Sequence, residues 1–299
     1  MSVMLAMTGL RGRMRLSEPM SRHTSWRVGG PAERFYQPAD LDDLVMFMKN
    51  LPPEEPLYCI GLGSNLLVRD GGVRGTVIGL SGMLNGLAVI ADGVVRAEAG
   101  VASAKVARFS VNHGLSGAEF LAGIPGTIGG ALAMNAGAFG GETWNIVQSV
   151  ETLDRGGGLH TRTRAEYEIG YRTVKGPPDE WFVAGRFALT PGTAAQGKAL
   201  IKTMLARRGT SQPTQTANAG SVFKNPPGDY AARLIEVSGL KGVCEGGVCV
   251  SEIHANFIVN TGGATAAEIE TLIERIRREV EAQQAVRLES EVRAIGEAP

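Results

Sequence analysis

The chain has 299 residues, and its 30 basic and 30 acidic side chains cancel to a formal charge of zero. No global field therefore recruits nucleic acid or an anionic membrane, while the length suffices for two domains and a core that needs no staples. Three cysteines, Cys59, Cys244 and Cys249, are too few for a disulfide framework, and the pair in VCEGGVCV lacks a second ligand pair for zinc. All three are expected as small apolar fillers in a reducing compartment, with no metal.

In chain order, MSVMLAMTGLRGRMRL carries its arginines after its apolar run and has no small-residue cleavage site, so no secretory signal is expected. FYQP, PLYCIGLG, LLVRDGG, GTVIGL and GVVRAEAG read as short strands separated by turns. ADLDDLVMFMKN predicts a helix, with Leu41, Leu44, Val45 and Met48 at helical spacing, and SAKVARFSVNHG predicts a second one stopping at Gly114. The fold class is mixed, α+β built from α/β lobes.

The pattern changes near Pro191. TAAQGKALIKTMLARRG predicts a helix, and SQPTQTANAG a polar, turn-rich stretch. TAAEIETLIERIRREVEAQQ predicts a helix with a Thr265/Glu268 capping box and a buried stripe of Ile269, Leu272, Ile273, Ile276 and Val280. AVRLESEVRAIG then predicts a strand with Val286, Leu288 and Val292 on one face and Arg287, Glu289, Glu291 and Arg293 on the other.

Two glycine-rich stretches carry the chemistry. In YCIGLGSNLLVRDGG, Gly61-Leu62-Gly63 enters Ser64-Asn65 and then another strand. A dinucleotide fingerprint needs a third glycine where Leu66 stands, so this is a loop able to approach a phosphate and not a Rossmann turn. Residues 122–142, AGIPGTIGGALAMNAGAFGGE, include seven glycines and no charge before Glu142. The glycines, Pro125, Asn135 and the absence of basic flanks exclude a membrane span and leave a cytoplasmic protein. Pro125 suits a helix's first turn, so Gly126-Thr127-Ile128-Gly129-Gly130 would present bare amides to a phosphate. Two such loops suit a long diphosphate ligand.

HTSWRVGGPAERF, GLGSNLLV and AGIPGTIGGALAMNAGAFGGE resemble the FAD-binding half of the UDP-N-acetylenolpyruvoylglucosamine reductase (UDP-N-acetylmuramate dehydrogenase) family. GYR at 170–172, GSVFKNP at 220–226, HANFIVN at 254–260 and LESEVRAIG at 288–296 resemble its substrate half, in the same order. The resemblance implies a vanillyl-alcohol-oxidase-type flavin fold over residues 21–190, a substrate domain over 191–299, and an N-terminal extension over 1–20. It implies non-covalent FAD held by Gly61, Leu62, Gly63, Ser64, Asn65, Gly123, Ile124, Pro125, Gly126, Thr127, Gly129 and Gly130. Arg27, Gly29, Asn135, Ala136 and Gly137 are further contacts, and His23 and His113 are not expected to link the flavin covalently.

The implied reaction is NADPH-driven reduction of the enolpyruvyl ether of UDP-N-acetylglucosamine, a small-molecule step with no nucleic-acid or membrane partner. Hydride addition to the alkene pushes charge into the adjacent carboxylate, so a cation and an acid are required. By resemblance Arg172 meets the carboxylate, Ser221 donates the proton and a glutamate of LESEV stabilises the developing enolate. Alternation leaves Glu289 and Glu291 open, and alignment with the family selects Glu291. Tyr171, Arg208, Lys224, Asn225, His254, Asn256 and Arg293 are the expected substrate contacts. The 48 residues separating Arg172 from Ser221 resemble the shorter family subtype, which lacks an inserted tyrosine loop.

Overall fold

The computed structural model describes residues 9–299. The apolar run opening the chain, read above as no secretory signal, lies mostly outside the described residues. The chain forms two compact units. One comprises residues 9–16, Arg34–Gly61 and Gly75–Met204; the other comprises Ser17–Glu33, Leu62–Arg74 and Leu205–Pro299.

In the first unit, helix α1 (Leu41–Asn50) starts at Asp40, whose carboxylate accepts the Asp43 N–H at 2.9 Å. Its Leu44, Phe47 and Met48 pack on Tyr36, Ile78 and Leu80. Leu57–Ile60 runs parallel to Val73–Gly79, with Leu57 opposite Thr76. Parallel neighbours need a crossover of about a dozen residues, and the Gly61–Asn65 loop opens that crossover. A second sheet is wholly antiparallel, in the order Leu159–Thr163, Val147–Asp154, Glu180–Ala188, Val94–Glu98, Leu87–Ala91. Its two central strands were not evident in the sequence. Register shifts at Val147/Ser149 and Glu151/Thr152 break the two-residue alternation.

Helices α2 (Ser103–Asn112) and α3 (Ile128–Met134) belong to the same unit. A Cβ at Gly129 would meet the Ala99 Cβ at 3.0 Å, so glycine lets α3 lie against the strand end. Helix α4 (Ala194–Ser211) forms over the segment read as helical.

The second unit contains α5 (Ala231–Val237) and α6 (Ala266–Gln284). At the start of α6 the capping box closes: Glu268 N–H donates to Thr265 Oγ1 at 3.2 Å and Thr265 N–H to Glu268 Oε2 at 2.9 Å. Asp70 adds what the sequence did not show, accepting the Ala266 and Ala267 N–H groups at 2.9 Å each. The α6 stripe, Ile269, Leu272, Ile273, Ile276 and Val280, is buried with Trp26, Phe223, Leu234 and Leu288.

Two expectations need correction. The strand expected over residues 285–296 is not continuous. Ala285 turns left-handed (φ 54°) to end α6, and only Arg293–Ile295 forms a ladder, parallel to Leu66–Val68. The intervening residues bond to a different segment: Lys224 N–H donates to Glu289 O at 2.9 Å and Glu291 N–H to Val222 O at 2.8 Å. Alternation survives in burial alone, with Leu288 and Val292 inside and Arg287, Glu289 and Arg293 exposed. Cys244 and Cys249 are not separate fillers; they face each other across a hairpin, Cα atoms 4.0 Å apart, and form a disulfide. The Gly246-Gly247 turn folds the pair together. Cys59 does pack against the first unit's core, and burial pushes its thiol up to about 12.

No helix of the described residues is long and apolar enough to cross a membrane. Removing the added cap with Asp70→Ala is expected to lower unfolding stability by about 1–2 kcal/mol. Urea denaturation reads this as a lower midpoint at unchanged slope.

Candidate active site

In the first unit, Gly61 follows the strand Leu57–Ile60 and lies against Thr127, and a Cβ there would lie 2.2 Å from Thr127 Oγ1. Thr127 caps α3, is 3% exposed, and its hydroxyl has no hydrogen-bond partner. Ser103 Oγ, at the start of α2, is likewise buried and unpartnered. The two hydroxyls belong to paired backbone: Ser103 N–H donates to Gly126 O at 2.9 Å, and Ala102 bridges Thr127. Ser103 was absent from the sequence-based set because only this tertiary pairing places it. At Gly130 an added Cβ would meet nothing nearer than Thr127 Oγ1 at 4.0 Å, so the backbone there faces open space.

The bare amides expected over Gly126–Gly130 are partly taken. Ile128 and Gly129 donate to Val101 O and Ala99 O at 2.9 Å each, which ties α3 to the neighbouring strand end. Pro125 lies ahead of the helix, which starts only at Ile128, and is not in its first turn.

Asn135 follows α3 in the left-handed region (φ 43°) and is 2% exposed. Its Nδ2 donates to Glu142 Oε2 at 3.0 Å and Gly170 O at 3.1 Å, and its Oδ1 accepts the Trp144 N–H at 3.1 Å. Holding Gly170 places Tyr171 and Arg172. Arg172 is itself left-handed (φ 54°), donates from Nη2 to Gly137 O at 3.1 Å, and lies 5.1 Å from the exposed Tyr171 ring. A Cβ at Gly137 would come within 2.6 Å of Gly141 O and 3.2 Å of Arg172 Nη1. Asn135, Ala136 and Gly137 thus form a seat for Arg172, a task the sequence did not disclose.

In the second unit, half-buried Ser221 lies on an irregular segment held on two sides. On one side Asn256, 3% exposed, uses its whole amide on Phe223: Oδ1 accepts the N–H at 2.9 Å and Nδ2 donates to the carbonyl at 2.8 Å. On the other side Val222 O accepts the Glu291 N–H. Asn256 therefore positions the Ser221 segment. Glu289 is 77% exposed and pairs with Lys224 at 3.4 Å, whereas Glu291 is half-buried. Asn65 Nδ2 donates to Glu291 O at 3.0 Å, and Asn65 O accepts the Arg293 N–H at 3.1 Å. Asn225 Oδ1 accepts the Ala231 N–H at 3.1 Å at the start of α5.

Glycine is required at two turns of this unit. At Gly63 (φ 67°) a Cβ would lie 2.0 Å from His23 O, and at Gly29 (φ 126°) 2.8 Å from Val68 Cβ. Arg27 adopts φ 59° in the same turn as Gly29. Arg208 donates from Nε to Gln212 at 3.0 Å, and burial lowers its pKa. Burial also lowers the pKa of His254, whose Nδ1 accepts the Asn256 N–H at 3.3 Å. The imidazole near neutral pH is thus an uncharged acceptor. Among the described residues no group of three or more His, Cys, Asp or Glu is placed to hold a metal ion.

Residues 32–163 match a family model described as FAD binding domain, and residues 212–295 match UDP-N-acetylenolpyruvoylglucosamine reductase, C-terminal domain. A UDP-N-acetylenolpyruvoylglucosamine reductase of Methylococcus capsulatus is 59% identical over 96% of this chain and 95% of its own length. The chain belongs to the UDP-N-acetylenolpyruvoylglucosamine reductase family. One from Alkalilimnicola ehrlichii is 58% identical over 96% of each chain. The crystal structure of the Thermus caldophilus UDP-N-acetylenolpyruvylglucosamine reductase superposes with a TM-score of 0.82 at 33% identity, covering 95% of this chain and 99% of that one.

As a member of this reductase family, the protein is an FAD-dependent oxidoreductase that draws on NADPH. The first unit fits that cofactor: two buried, unpartnered hydroxyls stand beside a glycine backbone open at Gly130. A flat ligand rich in acceptors satisfies such hydroxyls.

A histidine whose folded pKa is depressed stabilises the protein above its unfolded value and loses that contribution as pH falls. Here protonation must also break the Asn256 N–H bond to Nδ1. Stability is expected to decline as pH drops below about 6.5. The decline should be shallower in His254→Gln, as read from denaturant midpoints at pH 7 and 5.

Proposed function

We propose that Arg172, Ser221 and Glu291 carry the family's reaction in this chain, the reduction of UDP-N-acetylglucosamine enolpyruvate to UDP-N-acetylmuramate for peptidoglycan precursor synthesis. Bound FAD supplies hydride transfer from NADPH to the terminal alkene carbon. Arg172 pairs with the substrate carboxylate; its permanent charge and forked donors suit the charge that grows there. Glu291, protonated, hydrogen-bonds the enolate oxygen, while Ser221 gives its proton to the second alkene carbon. The exposure of Glu289 and its pairing with Lys224 support the choice of Glu291 for this role.

The observation that carries this assignment is the main-chain bond from Glu291 N–H to Val222 O, with Lys224 N–H to Glu289 O beside it. It puts the proposed acid and the proposed enolate donor on adjoining segments, clamped by Asn256. Lys224, only loosely paired, exchanges Glu289 for a phosphate, and Arg208, Arg293, Asn225, Tyr171 and His254 complete the substrate contacts. FAD is held without a covalent bond by Gly61–Asn65 and Gly123–Gly130, with Arg27 and Gly29. Residues 21–190 serve the cofactor, 191–299 the substrate, and the enzyme works in the cytoplasm.

Ser221→Ala tests the assignment. Under anaerobic conditions its flavin absorbance should be lost on adding NADPH at the wild-type rate. Recovery on adding UDP-N-acetylglucosamine enolpyruvate should slow by roughly a hundredfold or more. An unchanged second phase removes Ser221 from the mechanism. Arg172→Lys, which keeps the charge and loses the fork, should lower kcat/KM for this substrate by about tenfold or more.

A further inference from the structure

Cys244 and Cys249 lie outside the machinery described above, yet they form the one disulfide among the described residues. Cys244 is exposed and Cys249 half-buried. They are direct partners across the hairpin, followed by Glu245 opposite Val248. The bond joins residues only five apart, and the loop-closure stabilisation of a disulfide grows with loop length.

Other interactions already hold this hairpin. Gly242 N–H donates to Val250 O at 3.0 Å and Val250 N–H to Val243 O at 2.9 Å. Val248–Val250 ladders with Ile258–Asn260, and both valines are buried. Opening the S–S bond therefore leaves two thiols held opposite one another, ready to close again. A structural staple would instead join segments that nothing else keeps together. In a thiol-reducing compartment a disulfide is usually transient and redox-responsive.

We propose that Cys244–Cys249 is a reversible thiol–disulfide site, opened by a dithiol reductant, and that its state tunes the loop of residues 251–256. A thiolate of the reductant attacks the exposed Cys244 sulfur, and Cys249 leaves as a thiolate and takes a proton. The reductant's second thiolate then attacks the mixed disulfide and releases Cys244. Two electrons pass to the protein, two thiols form on it, and the reductant becomes a disulfide. A disulfide oxidant runs the exchange backwards.

Val250 leads directly into the loop, where Ser251 N–H donates to Phe257 O at 2.8 Å. That loop carries His254 and Asn256, and Asn256 clamps Phe223 two residues from Ser221. The sulfur pair is thus joined through Val250 and Ser251 to the segment assigned to the substrate, and a small change of hairpin twist on opening the bond is passed along it. This consequence rests on the reaction proposed above; the thiol chemistry does not.

The test uses the full-length, FAD-loaded enzyme incubated with dithiothreitol or with its oxidised form. Samples are quenched in acid, denatured, labelled with a maleimide and weighed intact. One label, on Cys59, is expected after oxidation and three after reduction, reversibly and with unchanged circular dichroism. The reduced enzyme should show a KM for the enolpyruvyl substrate raised by about fivefold, with the NADPH half-reaction unaltered. Cys244→Ser should show the same KM in both buffers. Three labels after oxidation, or only one label after dithiothreitol treatment of the folded enzyme, would overturn the redox site. Equal KM in the two states of an active enzyme would overturn the coupling. Loss of all activity towards this substrate with one-to-three label cycling intact would instead count against the proposed reaction alone.

Discussion

In each unit a buried asparagine amide bonded to main chain holds a segment that carries a candidate residue. Asn135 joins Glu142, Trp144 and Gly170, and Asn256 joins both polar groups of Phe223. Arg172 lies in the turn of a small hairpin, Glu168–Gly170 paired with Thr173–Lys175, whereas the segment around Ser221 is irregular and lacks the ladder of bonds that fixes a strand. At the Ser221 segment a side-chain amide replaces the missing ladder, and at Gly170 it braces the end of the hairpin. Leaving those buried backbone groups unpaired would cost about 1–3 kcal/mol each, so the amides specify conformation as well as contribute stability. The residues proposed for chemistry inherit their placement from these contacts.

Electrostatics is arranged on the same local scale. With no net charge to steer ligands, the cations that matter are individually seated. Arg172 rests against the Gly137 carbonyl and above Tyr171, contacts that help to orient the guanidinium. Lys224 has one long bond to a largely exposed glutamate, the kind of pair worth little in water and readily exchanged for a phosphate. His254, kept neutral by burial, acts as an acceptor for the backbone N–H of the residue that clamps Phe223.

Several elements were plain in the sequence because their signals are local. The α6 capping box and its five-residue apolar stripe are found as read. The glycine loops were visible from composition, and the order of the motifs pointed to the family that the comparisons show. Other features depend on what lies across from a residue. The strand expected from LESEVR is broken because its backbone bonds serve first the Val222–Lys224 segment and then Leu66–Val68. The central strand Val147–Asp154 hides behind two register shifts. Ser103 and Asp70 act through partners more than twenty residues away, so no window along the chain contains them both.

By itself the sequence determined where α1, α2, α4 and α6 start, which of their faces are apolar, and that bare backbone gathers at two loops, since each follows from neighbours within a few positions. Tertiary structure alone decided that Glu291 and not Glu289 is half-buried, that Asn135 and Asn256 brace backbone, and that Cys244 meets Cys249. Alternation assigns residues to a face but says nothing about what covers that face. Burial, pairing and the choice among equivalent side chains depend on which distant segment packs there.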